Sequence, residues 1–158
     1  MTMIKQELDQ VEQQLQEVVL KKFTNEDACD MGVWLYQKAK EEEKSITISI
    51  MKNGQRVFYA SLDGTSKEND DWIRRKENTA NHFCKSSYEL KLKMMLVEDD
   101  IWNRVGLSKR DYAQHGGSVP IRIEGVGMIG TITVSGMKDF EDHDYAVQAL
   151  KEWKKREK

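Results

Sequence analysis

One proline in 158 residues leaves no material for a proline-rich linker or tail. Cysteine is nearly as scarce. Cys29 and Cys84 can build neither a multi-bridge framework nor a four-ligand zinc site, so a reducing, cytoplasmic setting is expected, with both thiols as buried structural residues. No long apolar run exists to span a bilayer, and no basic-then-apolar leader opens the chain. Charge of one sign is also missing. The 25 Lys and Arg oppose 27 Asp and Glu for a net of -2, so neither nucleic acid nor an anionic membrane is an expected partner. Three histidines with no ligand-spaced pair give no metal centre. What remains is a length suited to one domain and a composition with 39% hydrophobic and 33% charged residues.

Periodicity supplies the architecture. Ile4, Leu8, Val11, Leu15, Val18 and Val19 recur at helical spacing, predicting an amphipathic helix from Met1 to Leu20 that could pack on its own sheet or against another subunit. Thr24 can cap a second helix through the amide of Asp27, with Ala28, Met31, Leu35 and Ala39 inward. Asn53-Gly54 suits a two-residue turn between strands 46–51 and 56–62, a register that sets Ile50 opposite Val57 and Ile48 opposite Tyr59. Neither face of that ribbon is fully polar, so helices are expected on both sides. Helices follow at 68–85, with Ile73, Ala80, Phe83 and Cys84 inward, at 88–97 and at 100–105. A second hairpin joins 119–124 to 128–135, and a last helix starts after Asp139 with its acids at the positive end. The fold class is therefore α+β: a single domain, 1–158, with an antiparallel sheet of two or more hairpins sandwiched between helices.

Several motifs suggest chemistry. Gly125-Val126-Gly127-Met128-Ile129-Gly130 spells a dinucleotide-binding pattern, but the β-branched residues after it predict a strand where a helix is needed, so a hairpin turn is the reading. His115-Gly116-Gly117 offers an imidazole beside sterically open amides, without the G-x-S-x-G elbow of a serine hydrolase. Ser135-Gly136 precedes the last helix, where amides could meet an anion and His143 could enter a cleft from the first turn. Asp142-His143-Asp144 cannot converge on one ion, since successive helix residues point about 100° apart; the acids read as helix-end charges. Trp72, Arg75, Lys76 and Thr79 share a helix face that could bind a carboxylate or phosphate, or be an ordinary solvated basic face.

Taken together, WIRRKENTANHF at 72–83, Ser86-Ser87, DYAQHGGSVPI at 111–121, GVGMIGTITVSG at 125–136 and DHDYAV at 142–147 resemble an uncharacterised bacterial and fungal family. It lies within the haem-degrading domain superfamily, with the HbpS and GlcG proteins and the C-terminal domain of PduO-type proteins. The resemblance implies a profilin-like sheet between helices and an even-numbered homo-oligomer. It also implies haem or another tetrapyrrole as a candidate cofactor or ligand. Haem-binding relatives place their iron contacts toward the N-terminal part, where this chain has no histidine before His82.

The ligand-site residues expected from these readings are His115, Gly116, Gly117, His143, Ser135, Gly136, Trp72, Arg75 and Lys76. The expected function is a cytoplasmic, oligomeric binding protein for a small anionic or tetrapyrrole ligand. A non-enzymatic oligomeric scaffold is the alternative.

Overall fold

The structure, a computed structural model, describes residues 2–157. In chain order it contains α1 (Thr2–Gln16), α2 (Asn25–Glu41), β1 (Thr47–Lys52), β2 (Gln55–Ser61), α3 (Lys67–Phe83), α4 (Ser87–Leu96), α5 (Ile101–Val105), β3 (Ser118–Ile123), β4 (Gly127–Ser135) and α6 (Asp139–Arg156). The strands form one antiparallel sheet in the order β2-β1-β4-β3. The α+β expectation holds.

Local chemistry explains the elements. At α2, the Asp27 amide donates to Thr24 Oγ1 (3.0 Å) and the Thr24 amide to Asp27 Oδ2 (2.8 Å), a reciprocal cap. Its inward residues Ala28, Met31, Leu35 and Ala39 are fully buried. Asn53 (φ 51°) and Gly54 (φ 80°) both adopt the left-handed conformation that a two-residue turn requires. The strand pairing differs from expectation, because a bulge between Ile50 and Met51 shifts it by one residue. Ile50 lies opposite Phe58 and Ile48 opposite Ala60. The Gly125–Gly130 stretch is the β3–β4 turn and the start of β4, not a nucleotide loop. A Cβ on Gly130 would lie 2.0 Å from the Met51 carbonyl oxygen, so the glycine permits the close approach of β1 and β4.

Alternation splits the sheet into two unlike faces. Ile48, Ile50, Val119, Ile121, Ile132 and Val134 join a core with α2 and α6. Thr47, Ser49, Ser118, Thr131, Thr133 and Ser135 form a buried layer of hydroxyls on the opposite face, where α3 packs. Ser118 and Thr133 bond to each other there (2.8 Å), and Ser49 donates to Glu77 of α3 (2.6 Å).

Three expectations are corrected. The first helix ends at Gln16, and Leu20 instead pairs beside Ile123; α1 packs on α4 rather than on the sheet. Met1 lies outside the described residues. The last helix begins at Asp139 itself, after Lys138. Both cysteines are exposed. Cys84 does not face inward because it ends α3 in the left-handed conformation (φ 55°, ψ 39°), which turns the chain out of the helix. Phe83 is only partly covered. Glycine fits this cap without a Cβ clash, so Cys84→Gly is expected to raise stability by roughly 0.5–1 kcal/mol in urea denaturation. An unchanged or lowered midpoint would mean that the thiol makes a compensating contact.

Candidate functional site

Where β4 runs into α6, a cavity of about 300 Å³ opens at the sheet end. Helix α3 contributes Glu68, Asn69, Trp72 and Lys76, the loop before β3 contributes His115, and the β4–α6 junction contributes Ser135, Gly136, Met137, Asp139 and Asp142. Lys76 occupies the inward stripe of α3 between Ile73 and Ala80, so its ammonium has to find acceptors inside the protein. Lys76 Nζ donates to Asp142 Oδ2 (3.0 Å) and to the Val134 carbonyl (3.1 Å). The two side chains are 4% and 2% exposed, making this a dry ion pair beneath a cavity that solvent reaches.

Glycine makes room for the pair. Gly117 has φ +142°, and a Cβ there would stand 2.4 Å from the Val134 oxygen and 2.7 Å from Lys76 Nζ. Gly116 is equally confined, against the Asp139 carbonyl (2.6 Å) and the Tyr88 ring (2.8 Å). Several amides at this junction are already engaged by the protein's own carboxylates. The Met137 amide donates to Asp142 Oδ1 (3.0 Å), with the Gly136 amide as a further donor, and the Gly116 amide donates to Asp139 Oδ2 (3.4 Å). Asp139 also accepts from Lys91 Nζ (2.6 Å). The protein's own carboxylates therefore occupy part of the anion positions that the paired glycines and the α6 entrance suggested.

Burial sets the electrostatics. It pushes the Asp142 carboxyl up to about 6, against the opposing pull of Lys76 and the junction amides. The Lys76 ammonium is drawn below its ordinary range by the same burial, with Asp142 opposing. His115 is half exposed; partial burial lowers it, while Asp139, 3.9 Å from its Nδ1, acts the other way. Its ring meets Trp72 edge-on at 5.0 Å.

Of the nine expected residues, Trp72, Lys76, His115, Ser135 and Gly136 line the cavity, and Gly116 and Gly117 shape it from behind. Arg75 turns away: its guanidinium lies 4.7 Å over the Trp72 ring and donates to the Lys109 carbonyl (3.2 and 2.8 Å). His143 is a correction. It does not enter the cleft but is 1% exposed beneath α1, 5.1 Å from Tyr88, with Nε2 3.3 Å from Gln14 Oε1 and Nδ1 unpartnered. Burial lowers it to about 4. Nor is the α3 basic face a solvated one, since Lys76 and Thr79 are buried. Asp139 and Asn69 are not among the expected site residues, and the sequence presents Asp142 as a helix-end charge and a match to the family pattern rather than as the partner of Lys76. A lysine inside an apolar stripe was the available signal, because it demands a buried acceptor.

Comparison with known proteins places this geometry. Residues 23–151 match the family described as haem degrading protein HbpS-like. A UPF0303 protein of Serratia proteamaculans is 42% identical over 128 residues, covering 81% of this chain and 80% of that protein. The crystal structure of the Ybr137w protein is 31% identical with a TM-score of 0.86, over 94% of this chain and 87% of that one. A PduOC:heme complex, at 16% identity and a TM-score of 0.68 over 84% of this chain and 94% of that one, shares the fold. The sheet between helices and the match across most of the chain lead to one assignment: the chain belongs to the HbpS-like family of haem-degrading proteins.

Proposed function

We propose that this protein binds a small polar molecule in the cavity between α3, the end of β4 and the start of α6. The observation that carries this reading is the dry Lys76–Asp142 pair at the cavity floor. Keeping two charges out of water is costly, and an apolar pair of similar volume serves structure as well or better. Retaining the charges beside an opening to solvent fits a site that handles a polar ligand.

The lining defines what enters. Glu68, Asp139 and Asp142 offer acceptors, Trp72 offers a flat wall, and the Gly116 and Met137 amides are already engaged. This favours a ligand that brings its own donors over the simple anion that the sequence suggested. Haem fits the cavity poorly: about 300 Å³ with carboxylates on the wall gives a tetrapyrrole no apolar slot. A homo-oligomer in the cytoplasm completes the proposal, supported by Val33 and Phe140, which the chain leaves on its surface.

Thermal-shift screening of small polar metabolites, together with haemin titration, tests the reading. Compounds that stabilise the wild type are expected to lose their effect in Ser135→Ala and His115→Ala, while the haemin Soret band stays that of the free form. A Soret shift abolished by His115→Ala would instead place a tetrapyrrole at this site. No stabilising compound and no Soret shift would favour the scaffold alternative.

A further inference from the structure

We infer that Lys76 is a reactive amine that condenses with a short aldehyde or ketone to form an imine within the cavity. This rests on the ligand-site reading above and names the substrate class for it. Three features of the geometry lead there.

The amine is held in place. Two of its three N–H groups are fixed by Asp142 Oδ2 and the Val134 carbonyl, and the third has no acceptor among the described residues although Lys76 lines the cavity. A proton acceptor stands ready, since Asp142 at 3.0 Å is positioned to take the ammonium proton and later return it. Burial works in the same direction, disfavouring the charged forms of both partners. Finally, a donor is available for the carbonyl oxygen. Ser135 Oγ accepts from Asn69 Nδ2 (3.2 Å), which leaves its own hydrogen for a ligand.

The step balances without an external co-reactant. Lys76 passes a proton to Asp142, and its lone pair attacks the carbonyl carbon. The carbonyl π pair moves to oxygen, which takes the proton from Asp142 to give a carbinolamine. Nitrogen then expels that oxygen as water, with a proton supplied through Asp142. The sum is one ammonium and one carbonyl giving one protonated imine and one water. The substrate class follows from the lining. A free carboxylate on the substrate would face Glu68 and Asp139, with the Gly116 and Met137 amides already engaged, so a short hydroxy- or amino-carbonyl compound fits best.

Glycolaldehyde with sodium cyanoborohydride tests this on the intact protein. Peptide mapping is expected to show one hydroxyethyl group on Lys76, formed severalfold faster than on exposed Lys155. Asp142→Asn is expected to slow labelling at Lys76 and leave Lys155 unchanged. Labelling of Lys76 no faster than Lys155 in the wild type overturns the imine, whether or not the variant folds. Fluorescence titration of wild type against Trp72→Phe then separates the two readings. Trp72-dependent binding of glycolaldehyde without an adduct refutes the imine alone, whereas neither binding nor adduct removes the ligand-site reading as well.

Discussion

Asp142→Ala is expected to lower the unfolding free energy by about 3–5 kcal/mol, because it strands a buried ammonium without its counter-charge. Little in the fold relieves the loss: the Lys76 side chain is 4% exposed and held against Gly117. The double variant Lys76→Met/Asp142→Leu is expected to return to within about 1 kcal/mol of wild type, since apolar side chains of similar volume remove the desolvation cost along with the attraction. The Arg74–Asp111 pair (2.9 Å) is the internal contrast. With 44% and 46% exposure, it is screened by water and is expected to contribute under about 1 kcal/mol. Urea denaturation of wild type, Asp142→Ala, the double variant and Arg74→Ala, which breaks the exposed pair, checks this. A double variant no more stable than Asp142→Ala alone would show that the charges themselves hold the junction of β4 and α6 together. A double variant that folds well yet responds to no stabilising compound would separate the structural cost of the pair from its use.

The second large effect depends on pH. His143 falls to about 4 in the folded protein, from an ordinary value of 6.5. Above pH 6.5 the ring is neutral in both states, and its contribution to stability is fully present. Between 6.5 and 4 the unfolded chain takes up a proton that the native protein refuses, so stability is lost as pH falls, by about 3 kcal/mol in total. Asp142 acts in the opposite sense. Its folded value lies above its ordinary one, so between about 6 and 3.8 the native state holds the extra proton and gains stability as pH falls. The wild type is therefore expected to show a shallow acid limb. His143→Leu keeps the volume and removes the proton acceptor, while half-buried Gln14 can turn to water. Denaturation midpoints of variant and wild type should lie close at pH 7.5 and diverge in favour of the variant toward pH 4. Parallel curves would mean that the ring is not neutral in its niche beneath α1.

Much of the fold was legible because single residues decide it. Thr24 with Asp27, Asn53 with Gly54, and the stripe of Ala28, Met31, Leu35 and Ala39 each specify an element through local chemistry alone. The register beyond Ile50 was not legible, since the bulge in the pairing of β1 with β2 leaves no local mark in the sequence. The site divides the same way. Trp72, Lys76, His115 and Ser135 stood out as chemically capable groups and do meet. His143 was misplaced because helical spacing alone does not tell which neighbour covers a face, and here α1 covers it. Asp139 and Asp142 look like ordinary helix-end acids until Lys76, 66 residues from Asp142 in sequence, is brought beside them.

The hydroxyl layer under α3 has one more effect, on how the strands find their alignment during folding. Each of β1 and β4 alternates aliphatic with hydroxylated side chains over most of its buried length, and β3 adds Ser118. Sliding one strand past its neighbour by a single position would turn its serines and threonines toward α2 and α6 and its isoleucines toward Glu77. Misalignment is thus penalised twice, once for each side of the sheet, whereas a sheet greasy on both sides would let the slipped arrangement survive.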